Sequence, residues 1–214
     1  MFNKKKIFIE KPIFDNSKNF NKFFKFTKKI FVGYNRIFYS GISNLKKNIK
    51  LNKVLNVIVK CPEESRKQFI RNSCHIISIL KFIFGDLKLI KKIKKGKFIF
   101  CLLKNKENIP ISFYINFNNP DNFSIEIFEN RKRYYISPIE TVKFYKGIEK
   151  KRIGNSHKYF PKNIKTINEY NINKFKPGFL NQTKNFKKFL KGKQIFNNLI
   201  LAKKIIKLAE SISK

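Results

Sequence analysis

Between Ile109 and Phe117 apolar and polar positions alternate without a miss. Ile109, Ile111, Phe113, Ile115 and Phe117 stand against Pro110, Ser112, Tyr114 and Asn116. A period of two predicts a strand with one buried face, and Pro110 belongs near its start or on an edge. Two further runs, Lys53 to Lys60 (KVLNVIVK) and Lys97 to Leu103 (KFIFCLL), are β-branched or aromatic and also predict strands. Between them the period changes. Phe69, Ser73, Ile76, Ile77, Leu80, Ile83 and Phe84 recur at helical spacing, with Lys67, Arg71, His75 and Lys81 mostly off the stripe. Pro62-Glu63-Glu64 supplies a first turn with two carboxylates at the positive end of the helix dipole, and Gly85-Asp86 a stop. The segment Asn118 to Ile136 supports two readings. Asn119-Pro120-Asp121 opens a helix well, yet Phe123, Ile125 and Ile127 alternate like a strand.

These elements predict an α+β fold: an antiparallel sheet with helices packed on one face, plus basic N- and C-terminal extensions. Residues 51–136 form the patterned core. Residues 1–50 are basic, Asn-rich and irregular, with an amphipathic helix predicted up to Gly33 from Phe23, Phe24, Ile30 and Phe31. That helix either docks on the core or threads along a nucleic acid. Residues 137–214 combine long basic loops rich in Gly, Pro, Asn and Lys with a terminal helix. The apolar stripe of that helix is Ile195, Leu199, Ala202, Ile205, Ile206 and Ala209, and its polar side carries Lys203, Lys204 and Lys207.

Charge changes the picture most. The 214 residues carry 49 Lys+Arg against 13 Asp+Glu, a net charge of +36. Such self-repulsion implies a polyanionic partner. With 42% hydrophobic residues and 25 Phe, the chain is too apolar for a disordered tail. An aromatic core under a basic surface reads as a nucleic-acid-binding protein. Arginine occurs only at positions 36, 66, 71, 131, 133 and 152, and Trp is absent. That bias fits an AT-rich genome and an organelle-encoded protein, mitochondrial or of a plastid-type organelle. No apolar run reaches the ~20 residues of a membrane-spanning helix, and the N-terminus has no signal-peptide core.

Candidate chemistry is sparse. Cys61, Cys74 and Cys101 share no metal-ligand spacing, and His75 and His157 have no Glu-x-x-His partner, so no metal is expected. No Gly-rich phosphate loop occurs, and Ser156-His157 does not make a triad. The sequence therefore predicts no catalytic residues, no cofactor, no small-molecule substrate and no enzyme. Its candidate residues are basic: Lys88, Lys91, Lys92, Lys94, Lys95 and Lys97, Arg131, Lys132 and Arg133, Lys150, Lys151 and Arg152, and Lys158. Each group would contact phosphate, fixing position without reading sequence.

The order strand, long helix, Gly turn, lysine-rich segment, strand, Pro-Ile strand resembles the large-subunit ribosomal protein five family. Lys53-Val54 and Ile58 fit its first strand, Gly85 its turn, and Leu89 to Phe100 its basic loop. Pro110-Ile111 fit its Pro-Ile pair, and Ser124 to Arg131 its following helix. The resemblance covers roughly residues 50–135. It implies a structural constituent of the large subunit of an organellar ribosome, with rRNA (5S rRNA in that family), transfer RNA and neighbouring ribosomal proteins as partners. It also implies a helix over Phe123 to Arg131. The alternatives are a small-subunit or lineage-specific ribosomal protein, and a basic accessory subunit of an organellar membrane complex.

Overall fold

The computed structural model describes residues 5–171, 175–193 and 195–213. In chain order the strands are β1 (Ile7–Glu10), β2 (Ile30–Gly33), β3 (Val54–Glu63), β4 (Lys88–Lys95), β5 (Phe98–Lys104), β6 (Pro110–Phe117), β7 (Ser124–Glu129), β8 (Lys132–Ile136), β9 (Thr141–Ile153) and β10 (Ser156–Asn168). The helices are α1 (Ser40–Asn48), α2 (Arg66–Gln68), α3 (Cys74–Phe84), α4 (Phe179–Leu190) and α5 (Leu199–Ser213). A π-helical turn, Phe69–Ser73, joins α2 to α3.

The architecture is α+β around one large, mostly antiparallel sheet of eight strands, in the order β10-β9-β8-β7-β3-β6-β5-β4. One pair departs from the expected antiparallel pattern: β3 runs parallel to β6, with Val57 opposite Ile111 and Glu63 opposite Phe117. The cause is the connection, because a parallel neighbour needs a long crossover and the chain reaches β6 through helix α3 and the β4–β5 hairpin. A second sheet consists of β1 and β2 alone, paired in parallel.

Alternation along each strand buries one face of the large sheet. Val57, Val59 and Cys61 of β3, Ile111, Phe113 and Ile115 of β6, and Ile125 and Ile127 of β7 are almost wholly buried. Phe69, Ile76, Ile77, Leu80 and Ile83 pack into the same core, as their helical spacing predicts. So do Leu199, Ala202, Ile205, Ile206 and Ala209 of α5, and Phe20, Ile30, Val32, Ile37, Ile42 and Leu45 from the N-terminal quarter. Ile195 precedes the terminal helix and is not part of it.

Several expectations are corrected. The stretch Ser124–Glu129 is strand β7, not the helix that the ribosomal resemblance implies. Its alternation decides the outcome because Ile125 and Ile127 meet the core while Glu126 and Phe128 face outward. Pro62 and Glu63 end a strand instead of opening a helix; the helix begins at Arg66, where the Ser65 hydroxyl accepts the N–H of Gln68. The N-terminal helix is a 3₁₀ helix, Ser17–Phe26, and Ile30 and Phe31 lie beyond it in β2. The lysine-rich loop is edge strand β4, and the basic loops of the C-terminal third include the thirteen-residue strands β9 and β10. His75 and Lys81 are buried despite lying off the apolar stripe. Lys81 reaches Asp86 at 2.8 Å, and Lys204 reaches the same carboxylate at 2.7 Å.

Leu80 has no exposed surface in this core. Leu80→Ala should cost about 2–5 kcal/mol in urea denaturation, the range for truncating a buried leucine. A loss under about 1 kcal/mol would contradict this packing.

Candidate proton-transfer site

Four chain segments meet where β1, β2 and β3 end. Lys11 follows the last residue of β1. Tyr34 follows β2, and Arg36 lies in the 3₁₀ turn Asn35–Phe38 just beyond it. Glu63 ends β3, and Ser73, Cys74 and His75 form the junction between the π turn and α3. A π turn commonly marks a functional position, because its extra residue re-aims the side chains around it. Gly33 belongs to this arrangement: a Cβ there would come within 2.9 Å of the Glu10 carboxylate, so a larger residue would push that side chain aside.

Hydrogen bonds fix the acid and the amine. The Ser73 hydroxyl donates to Glu63 Oε1 at 2.7 Å, and the Asn72 amide donates to Oε2 at 3.4 Å. Lys11 Nζ donates to the Arg71 carbonyl at 2.9 Å. The Tyr34 and His75 rings meet edge to face at 6.2 Å between centroids. Three polar atoms in this cluster are buried without a hydrogen-bond partner among the described residues: Tyr34 Oη, Arg36 Nη1 and His75 Nδ1. Buried polar groups are nearly always satisfied, so three orphans in one cluster set it apart from the rest of the core.

Burial shifts the titrations towards one another. Burial lowers the Lys11 ammonium, with Arg36 adding like-charge repulsion, while Cys74, Glu10 and Glu63 oppose the shift. Burial raises the Glu63 carboxyl, against the bonds from Ser73 and Asn72. His75 lies well below the ordinary imidazole value, through burial first and then the charges of Lys11 and Arg36. Tyr34 is pushed well above the ordinary phenol value by burial, and the Cys74 thiol up to about 12, so both stay protonated. The cluster thus offers a neutral imidazole, an amine and a carboxyl with opposed shifts, and a phenol that keeps its proton. Groups driven apart or together in this way are the usual equipment of proton transfer.

Beside Glu63 lies an open polar cleft of about 340 Å³. Glu63, Glu64, Gln68, Asn72 and Asp121 give it carboxylates and amides, and Phe123 an aromatic wall. Asn118 closes one side, its amide nitrogen donating to the Glu64 carbonyl at 3.0 Å while its oxygen accepts from Lys97 Nζ at 3.1 Å.

The basic positions singled out in the sequence lie elsewhere. Lys88, Lys91, Lys92, Lys94 and Lys95 are exposed along β4, one edge of the sheet, and Lys97 follows in the next turn. Lys150, Lys151, Arg152 and Lys158 are exposed on the β9–β10 hairpin at the opposite edge. Arg131 occupies the β7–β8 turn, Lys132 pairs with Glu129 at 3.2 Å, and Arg133 pairs with Glu126 against the rings of Phe128, Tyr135 and Tyr145. The fold therefore spreads these cations over two edges and one internal pairing instead of gathering them. The buried cluster was missed because its members come from four segments, each too short to carry a pattern. The one local signal was a histidine embedded in an otherwise apolar helix.

No family model and no curated protein matches the chain. Solved structures match along almost its whole length. A dehydrogenase (MviM) from Clostridium difficile superposes with a TM-score of 0.70 at 17% identity, covering 97% of this chain and 70% of that one. The chain shares its fold with these solved structures. UDP-N-acetylglucosamine 3-dehydrogenase GnnA from Acidithiobacillus ferrooxidans gives 0.64 at 10% identity, with 97% and 69% covered. A super-repressor mutant of Gal80p from Saccharomyces cerevisiae gives 0.66 at 12%, with 97% and 69% covered.

This likeness overturns the resemblance to large-subunit ribosomal protein five and the structural ribosomal role drawn from it. It also overturns the expectation of a chain without enzyme chemistry, and the expected partners: rRNA, transfer RNA and ribosomal proteins in place of a small molecule. Strand, helix, Gly turn and hairpin follow one another in many α+β sheets, so their order did not specify a family. The lysine excess reflects composition spread over the whole surface, not one interface.

The pH response of stability follows from His75. Its folded value lies below 6.5, so on acidification the unfolded chain takes up a proton that the native chain refuses. Stability from this group is present above about pH 6.5 and is lost as pH falls below it. Glu63, raised above 4.5, works in the opposite sense at lower pH. Urea denaturation of the wild type and His75→Gln should show the wild type losing more stability than the variant between about pH 7.5 and pH 5. Parallel curves would mean that His75 is not held neutral.

Proposed function

We propose that this chain is an oxidoreductase-type domain that binds a small hydroxylated molecule beside Glu63 and exchanges a proton with it through Lys11 and His75. One observation carries the reading: Tyr34 Oη, Arg36 Nη1 and His75 Nδ1 are buried together without partners, next to an amine and a carboxyl with opposed shifts. A hydroxyl placed there gives its proton to the neutral imidazole or to Lys11 Nζ in its free-base form. The Tyr34 hydroxyl and an Arg36 N–H then donate to the oxygen as negative charge develops, the arrangement that stabilises such charge best. The carboxylates and amides of the cleft, with Phe123 as a wall, suit the hydroxyls and apolar face of a sugar-like ring.

Dehydrogenases of this fold imply a nicotinamide dinucleotide, whose pyrophosphate needs a glycine-rich turn between a strand and a helix. The described residues do not fit it. The eight glycines, at positions 33, 41, 85, 96, 147, 154, 178 and 192, never take the G-x-G-x-x-G spacing. The turn after β1 is Lys11-Pro12, and β1–β2 is a pair of four-residue strands. The activity assigned to these residues is therefore substrate binding and proton handling, with no hydride step derived from them.

An NMR titration of the full chain with glucose and with UDP-N-acetylglucosamine tests this. Binding should shift the His75 ring and the amides of Glu63 and Asn72, and Lys11→Met should weaken it at least about tenfold, the loss of roughly 1.4 kcal/mol or more expected when a charged donor is removed. If neither sugar perturbs His75 or Glu63, the reading fails.

A further inference from the structure

A second cavity lies at the opposite end of the β1–β2 pair from Lys11. It measures about 620 Å³. Lys6 precedes β1, and Thr27 and Lys28 precede β2, so the cavity opens at the amino ends of the parallel strands. Lys193 and the residues leading into α5 form its other wall.

We infer that this cavity binds a phosphorylated small molecule. Lys6, Lys28 and Lys193 line it, and no carboxylate does. This contrasts with Lys81, Lys132, Lys151 and Lys204, each of which finds an acid. Lys6 is held in place: its Nζ donates to the carbonyls of Phe189 at 2.5 Å and Leu190 at 3.1 Å, and lies 4.9 Å from the centre of the Phe189 ring. Lys28 and Lys193 have no such partner among the described residues and are free to close on an anion. The fifteen-residue helix α5 starts at the cavity wall. The side chain of its cap, Asn198, accepts the Leu201 N–H at 2.8 Å and its backbone carbonyl the Ala202 N–H at 3.1 Å, which leaves the Ile200 N–H at the cavity wall without an intrahelical acceptor. The helix dipole adds positive potential at that point.

Phe189, Ile195 and Ile200 supply apolar walls beside the cations. Cations lining a cavity that also has an apolar wall suit a phosphate joined to an aromatic or aliphatic body better than a bare inorganic ion. The site shares no residue with the proton-transfer cluster, so it stands or falls independently of that function.

The test is calorimetric titration of the full chain with inorganic pyrophosphate and with ADP in buffer of at least moderate ionic strength, where diffuse attraction to a +36 surface is screened. A saturable one-to-one site is expected, tighter for ADP than for pyrophosphate. The double variant Lys28→Gln/Lys193→Gln should weaken it at least tenfold, and the control pair Lys91→Gln/Lys94→Gln on β4 less than twofold. Amide resonances of Leu199 and Ile200 should move in the wild type on adding ADP, a readout that does not depend on any variant folding. Equal weakening by both pairs, or shifts spread along β4 and β9 instead of at α5, would show general attraction to lysine and overturn the proposal. Failure to saturate at one equivalent would do the same.

Discussion

The bond between Glu63 and Ser73 is the contact on which the arrangement turns. β3 has a parallel neighbour on one side, β6, and an antiparallel one on the other, β7. Its last residue must therefore release the chain into a crossover, and the chain turns there into α2, the π turn and α3. A carboxylate at the strand's end, bonded to a hydroxyl on the returning helix, locks the strand end to the helix start. Burial at this junction raises the proton affinity of Glu63, against the bonds from Ser73 and Asn72. A structural tie thus also places a titratable acid at the edge of a polar cleft. Removing Ser73 would loosen the crossover and also take away a donor that favours the carboxylate, raising the Glu63 proton affinity further, so structure and chemistry here cannot be tuned separately.

How much of this was legible depends on where the physics is local. In β6, Ile111, Phe113 and Ile115 declare a one-sided strand, because burial on one face of a pleat leaves a period of two. In α3 the apolar residues recur with the helical turn for the same kind of reason. β7 shows that local alternation carried more information than a family pattern: Ile125 and Ile127 were right, and the borrowed helix was wrong. The long β9–β10 hairpin was not legible. From Gly147 to Thr166 it extends past the core with almost every residue exposed, and a two-stranded arm with no buried face leaves no hydrophobic period to read. Parallel pairing of β3 with β6 was equally hidden, since parallel or antiparallel direction is decided by a crossover and not by either strand's own residues.

The site was hidden for a different reason. Lys11, Tyr34, Arg36, Glu63 and His75 come from segments spread over more than sixty positions, and none sits in a motif long enough to stand out against a lysine-rich background. His75 and Lys81 were read as lying off the apolar stripe of α3, yet both are buried. A helix flanked on several sides, by the sheet, by α5 and by the N-terminal segments, has no solvent face to which polar residues default. Polar residues on such a helix must then be neutral, paired or functional. Lys81 is paired with Asp86, whose carboxyl is held down to about 2 by Lys204 and Lys81. His75 has no pair and is held neutral by burial, which is how an imidazole is tolerated there.

The lysine excess looks different once these roles are separated. Among the described residues, lysines along β4 and the β9–β10 arm occupy the two edges of the large sheet. Charge on an exposed edge discourages pairing with another chain, a purpose that needs no nucleic acid. Lys81, Lys132 and Lys204 neutralise the few buried or half-buried acids. Lys28 and Lys193 line a cavity at the amino end of the parallel pair, and Arg36 lies buried at the carboxyl end with its Nη1 unpartnered among the described residues. The two ends differ in kind. At the carboxyl end the cations sit beside Glu63 and a neutral imidazole, a mixture that can move a proton. At the amino end they face an apolar wall and a helix terminus with no acid present, a combination that can hold an anion but has no group to transform it.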